Sequence, residues 1–194
     1  MPALRYDSEP RLTRDFEADP AEHFVGVLAL IEVQDEPAHS QQAGNEVFVL
    51  VREYTPSQIR WNLPGGAWGQ DTSETPVDTA RRLLKATLGR ALSVSPRVLL
   101  TDWVPNAASC PPGIVVVLDG GVITSREAAL LRPIVGTGAE EVRFVLLSEL
   151  GDPELGIDAH TRRRIEIAAA ARRDGRWTSM TTLGVPAAQP VHGA

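Results

Sequence analysis

The residues best equipped for chemistry lie between positions 59 and 90, in IRWNLPGGAWGQDTSETPVDTARRLLKATLGR. Gly65-Gly66 lets a backbone approach closely and turn amides toward a phosphate, or it simply turns the chain into the next loop. Glu74 follows, and after it Arg82. A carboxylate at that place can ligate a divalent cation or take a proton, and an acid just ahead of a helix is also an ordinary partner for the helix dipole. Arg82 can grip an anion, orient a neighbouring acid or lie in solvent. Trp61 and Trp68 flank the glycine pair and offer ring faces for stacking on a base, though Trp61 also reads as a core residue. Farther along, Asp102, Asp119 and the pair Glu140-Glu141 are acids that strands or loops could carry inward. Their plain readings are turn formers for the aspartates and solvated strand-edge charges for the glutamates.

These groups need an element to hold them, and the sequence marks one. Thr75 is placed as an N-cap, Pro76 suits the first helical position, and Asp78 sits where a capping-box acid belongs. Val77, Ala80, Leu84 and Leu88 recur at helical spacing and would face a core, while Gly89 offers the left-handed stop. After Asp78 the stretch carries no acid, only Arg81, Arg82, Lys85 and Arg90.

The stretch resembles the Nudix box, whose pattern runs G-x5-E-x7-R-E-U-x-E-E-x-G-U, U being a bulky aliphatic. Gly66 matches the first glycine, Glu74 the first glutamate, Arg82 the arginine, Leu84 the aliphatic and Gly89 the late glycine. Seven residues rather than five separate Gly66 from Glu74, and Arg90 replaces the closing aliphatic. Where the family carries three glutamates, related as i, i+3 and i+4 on one helix face, this chain has Leu83, Ala86 and Thr87, and one threonine hydroxyl amid cations would not hold magnesium. Asp102-Trp103-Val104-Pro105, Leu118-Asp119-Gly120-Gly121 and Glu141-Val142-Arg143-Phe144-Val145 before Glu149-Leu150 also look like stretches common among bacterial Nudix hydrolases.

The resemblance covers roughly residues 23 to 177 and implies an α+β fold, a Nudix-like α/β/α sandwich with a mixed sheet. It implies a chemistry too. Nudix enzymes hydrolyse a nucleoside diphosphate linked to another group, using carboxylates to hold divalent metals that neutralise the diphosphate and activate water. Without those glutamates, the expectation is a protein that binds a nucleotide or other phosphorylated small molecule without efficient diphosphate hydrolysis. Glu74 and Arg82 would stand at the reacting centre, with Gly65, Gly66, Trp61, Trp68, Glu140 and Glu141 around the ligand, and no metal or other cofactor is expected. The alternative is a divergent hydrolase that recruits Glu74, Glu140 or Glu141 and works with magnesium or manganese. A third reading is a structural partner, a homodimer formed through sheet edges or the N-terminal arm.

Composition narrows the partners. The chain has 194 residues, 43% of them hydrophobic, enough for one ordinary core. Its net charge of −6 argues against nucleic acid as a bulk electrostatic partner. Cys110 is the only cysteine, so neither an intrachain disulfide nor a thiolate metal cluster is available, and His23, His39, His160 and His192 share no ligand spacing. The charged N-terminus lacks an apolar signal core, and the apolar runs are too short to span a bilayer, so no membrane partner and a cytoplasmic location are expected.

Strands are expected at 23–33, 46–54, 97–104, 114–123 and 141–147, with a hairpin joining the first two. Residues 125–131 offer a short helical turn or two, and His160 to Arg173 is an Ala-rich helix whose Arg162-Arg163-Arg164 run reads as a solvated face. The division expected is an N-terminal arm at 1–22, a domain at 23–177 and a loose tail at 178–194.

Overall fold

The computed structural model describes residues 24–34, 46–55, 58–68, 73–105, 112–175, 181–182 and 185–186. In chain order these form β1 (Phe24–Gln34), β2 (Val47–Thr55), β3 (Gln58–Asn62), β4 (Gly65–Ala67), α1 (Pro76–Leu88), β5 (Val98–Val104) and β6 (Gly113–Thr124). Then come α2 (Ser125–Ala128), β7 (Ala139–Leu146), two short 3-10 turns, α3 (Ala159–Arg173), β8 (Thr181–Thr182) and β9 (Val185–Pro186).

β1 is a nearly unbroken apolar run because both its faces are buried. Val27, Ala29 and Ile31 join one core, where Ala80, Leu84 and Leu88 of α1 pack. Leu28 and Leu30 join the other, against Ile165, Ala168, Ala169 and Ala171 of α3. β2 divides the same way, Val49 and Val51 toward α1 and Phe48 and Leu50 toward α3. A sheet lined on both faces and covered by one helix on each is the α/β/α sandwich expected from the sequence.

The sheet is mixed, ordered β3-β2-β1-β6-β5-β8-β9, with β4 added to β1 and β7 to β2. β6 runs parallel along one edge of β1, and β4 and β2 share the other edge, β4 at residues 26–28 and β2 at Glu32 and Val33. β2 carries β7 on its far edge and β3 on the near one. The antiparallel β3-β2-β7 group therefore diverges from the main sheet beyond the short β1–β2 junction. The hairpin expected between the first two strands is present, but it pairs only near that junction.

Helix α1 begins and ends where the sequence marks it. Thr75 is the N-cap, its hydroxyl accepting from the Asp78 amide, Pro76 follows, and Gly89 takes a left-handed φ of 72°. The segment after α2 covers the other end: the Arg132 and Ile134 amides donate to the Leu88 and Thr87 carbonyls at 3.3 and 3.0 Å.

Three sequence expectations need correction. β3 and β4 form where only an apolar approach to the glycine pair was read, because five residues and three residues carry too little alternation to declare a strand. Within the stretch read as a loose tail, Thr181 and Thr182 lie parallel to β5 at Asp102 and Trp103. The arginine run is not all solvated: Arg164 is buried at 5% exposure. Successive helix residues turn by about 100°, so three in a row cannot share a face, and position 164 falls among the inward-facing Thr161, Ile165 and Ala168. The arm at 1–22, Cys110 and the tail beyond 186 lie outside the described residues. No described helix is long and apolar enough to cross a membrane.

Candidate functional site

The site region begins where β3 turns at Leu63-Pro64 into β4. The Ala29 amide donates to the Pro64 carbonyl at 2.9 Å, drawing this turn onto β1. Gly66 then pairs with Val27 and Gly65 with Leu28. A Cβ on Gly65 would lie 2.2 Å from the Val27 carbonyl oxygen, so only glycine allows this approach. Above Gly66 the neighbour is the Leu83 side chain, whose methyls would lie 3.5 Å from an added Cβ. Residue 83 of α1 therefore looks onto the glycine turn, and it presents an isobutyl group there.

Trp68 ties the turn to the helix start. Its amide donates to the Val25 carbonyl at 2.7 Å, and its indole Nε1–H donates to the Glu74 carbonyl at 2.9 Å. Glu74 in turn is held by α1. Arg82 donates from Nε to Oε1 at 2.7 Å and from Nη2 to Oε2 at 2.8 Å, a bidentate fork. The Thr79 hydroxyl adds a bond to Oε2 at 2.9 Å. Both carboxylate oxygens are therefore engaged, with 18% of the side chain exposed. Such a carboxylate anchors the segment ahead of α1 to the helix, and protonating it would weaken the charge-assisted fork.

The remaining expected site residues fall elsewhere. Trp61 is buried in the core facing α3, with the Arg143 guanidinium 4.7 Å and that of Arg52 5.9 Å from its ring centroid. A cation over the ring face is favourable, and here it comes from the chain itself. Glu141 pairs with Arg52 at 3.1 Å and with Arg143 at 3.2 Å, while Glu140 lies 3.6 Å from Arg52. The structure thus gathers Glu74, Arg82, Trp68, Gly65 and Gly66 at the α1 turn, and Glu140, Glu141 and Trp61 around Arg52 and Arg143.

A divalent cation is what the fold's helix face would be asked to hold, and the donor set does not suit one. Leu83 and Ala86 have no donor atom, and the Thr87 hydroxyl is engaged with the Leu83 carbonyl at 2.8 Å. Among the described residues no three His, Cys, Asp or Glu side chains come together as a metal set.

Sequence reading missed the most deeply buried charged cluster. Asp102, for which the sequence left an inward-pointing acid or a turn former open, stands inside β5 with 0% exposure. Its Oδ2 accepts from Arg164 Nε at 3.2 Å and Nη2 at 3.0 Å and from His160 Nε2 at 2.6 Å, and its Oδ1 accepts from the Thr181 hydroxyl at 2.6 Å. A carboxylate only accepts, so the imidazole proton is on Nε2; Arg164 Nη2, 2.8 Å from that nitrogen, directs its own proton to Asp102. Burial lowers Arg164 from the usual arginine range, and Asp102 opposes the shift. The available signal was the spacing of His160 and Arg164, one helical turn apart, facing a strand that carries a single acid.

Glu53, on β2, was also missed. Burial raises its carboxyl above the usual glutamate value, while Arg60, 3.5 Å away, and Asn62 pull it back.

Comparison with known proteins speaks to the fold. No family model matches the sequence, and no curated protein matches it. Solved structures do. The MutT protein from Methanosarcina mazei Go1 aligns with a TM-score of 0.56 and 18% identity over 79% of this chain and 95% of its own. The Nudix domain of Shewanella oneidensis NrtR, complexed with ADP ribose, aligns with a TM-score of 0.57 and 18% identity over 81% and 96%. A C. elegans Ap4A hydrolase binary complex aligns with a TM-score of 0.55 and 13% identity over 78% and 98%. At such identities the likeness is one of fold, and that fold is the Nudix fold.

Proposed function

We propose that this Nudix-fold chain binds a nucleotide or another phosphorylated small molecule and does not hydrolyse diphosphates efficiently. One observation carries the reading: α1 turns Leu83 onto the Gly66 backbone while Arg82 and Thr79 occupy both oxygens of Glu74. Arg81, Lys85 and Arg90 leave the exposed part of the helix cationic, which favours an anionic ligand and disfavours a metal. The NrtR domain complexed with ADP ribose supports the ligand class by analogy of fold. A metal contributes several kcal/mol to phosphoryl transfer, and each ~1.4 kcal/mol is about tenfold in rate, so its loss leaves binding as the surviving use of the pocket.

Incubation of the full chain with ADP-ribose, ATP and Ap4A, each with magnesium or manganese, tests this. Thermal stabilisation and a calorimetric binding isotherm without release of phosphate or nucleoside monophosphate are expected. Metal-dependent turnover that disappears in Glu74→Gln would overturn the reading and favour a hydrolase with a recruited acid.

A further inference from the structure

Strand β7 borders the β3-β2-β7 group, and among the described residues it pairs with β2 alone. Among the described residues no strand covers its other backbone edge, and Phe144 is 42% exposed along it. Natural sheets guard such edges with charge, and charge of a single sign would repel a second copy. Here the charges alternate. Glu141 and Arg143 stand two residues apart on one face, opposite Arg52 and Leu50 of β2.

We propose that β7 is the interface of a homodimer, two copies pairing antiparallel about a twofold axis at Val142. Such an axis stands normal to the sheet and keeps each face on its own side, so it must pass through a residue position. At Glu141 it would set acid against acid, and at Arg143 cation against cation. At Val142 it sets Glu141 against the partner's Arg143 and Arg143 against the partner's Glu141, two opposite-charge cross-strand pairs. β7 is bulged between Glu141 and Ala139, and Glu140 reaches Arg52 beside Glu141, so the regular register spans residues 141–143 of each copy. Pairing there lengthens the antiparallel group from three strands to six. This surface is separate from the α1 turn, so failure of the binding reading leaves it standing.

Sedimentation equilibrium on the full chain should give twice the 21.0 kDa chain mass. Charge reversal in R143E places acid against acid twice and should weaken association by about tenfold. In a C110S background, V142C should form a disulfide-linked dimer under mild oxidation, because facing Cβ atoms at an axis lie about 4.5–5.5 Å apart, within disulfide reach. F144C alone should not link, but E141C should link to R143C when the two are mixed. A monomer at every concentration, or F144C linking to itself as readily as V142C does, overturns the proposal. Should R143E lose its fold by circular dichroism, the crosslinking pattern alone decides.

Discussion

Removing the Asp102 carboxylate should be among the most costly single substitutions in this chain. In Asp102→Ala the Arg164 guanidinium, 5% exposed, keeps its charge and loses the acid that compensates it. Breaking a buried ion pair from one side costs about 3–5 kcal/mol, because the remaining charge stays desolvated. The same change leaves the fully buried Thr181 hydroxyl and the His160 ring proton without their acceptor. These losses overlap and do not add. Against a typical stability of about 5–15 kcal/mol this is about a fifth of the total or more. For a domain of this length it corresponds to a fall in Tm of about 6–20 °C.

Asp102→Asn keeps the shape and one acceptor and should lie between. The discriminating variant is D102L/R164M, which removes both charges at similar volume; an uncharged replacement of a buried pair is often neutral or stabilising by about 1–4 kcal/mol. Urea unfolding followed by tryptophan fluorescence reads all three, provided the slope with denaturant is unchanged. A cost below about 1 kcal/mol for Asp102→Ala would refute the reasoning. So would a double variant as unstable as the single, since the loss would then lie in packing and not in an uncompensated charge.

Glu53 gives a pH test. Its folded carboxyl is raised, chiefly by burial, so its contribution is fullest below the unfolded glutamate value and is lost as pH rises through the raised one. Glu53→Gln should therefore gain stability relative to the parent as pH rises from about 4 toward 8, and a difference independent of pH would contradict this. Gly65→Ala should destabilise far more than Gly66→Ala, because its Cβ would meet the Val27 carbonyl at 2.2 Å whereas the other meets Leu83 methyls at 3.5 Å; thermal melts of the two compare them directly. L83E/A86E should gain manganese binding by electron paramagnetic resonance, with the parent binding none; parent and variant binding alike would remove the basis of the proposed function.

The fold was legible in those stretches where one physical signal dominated. α1 carried a cap, a proline, a helical period and a terminal glycine, all pointing to the same bounds, and each appears in the structure. β1 was legible because burial on both faces leaves an apolar run from Val25 to Ile31, with Glu32 the one charge at its end. β3 and β4 were not, because a strand of three residues at a glycine pair owes its form to the neighbour it pairs with, here residues 26–28 of β1. β8 depends on tertiary context in the same way: nothing local distinguishes Thr181 until Asp102 is placed beside it.

The candidate site divides along the same line. Gly65, Thr75 and Gly89 are required by backbone geometry: a closed approach, a capped helix start and a left-handed exit. The Glu74–Arg82 fork serves the same frame, tying the loop after Trp68 to the helix. Leu83 lies over Gly66, and the Thr87 hydroxyl bonds back to the Leu83 carbonyl, so neither offers a free hard oxygen to a cation. The turn thus has every residue its backbone requires, while the neighbouring helix face has none that a metal requires. On the proposed reading, recognition of a ligand rests on the geometry of this turn and not on acids.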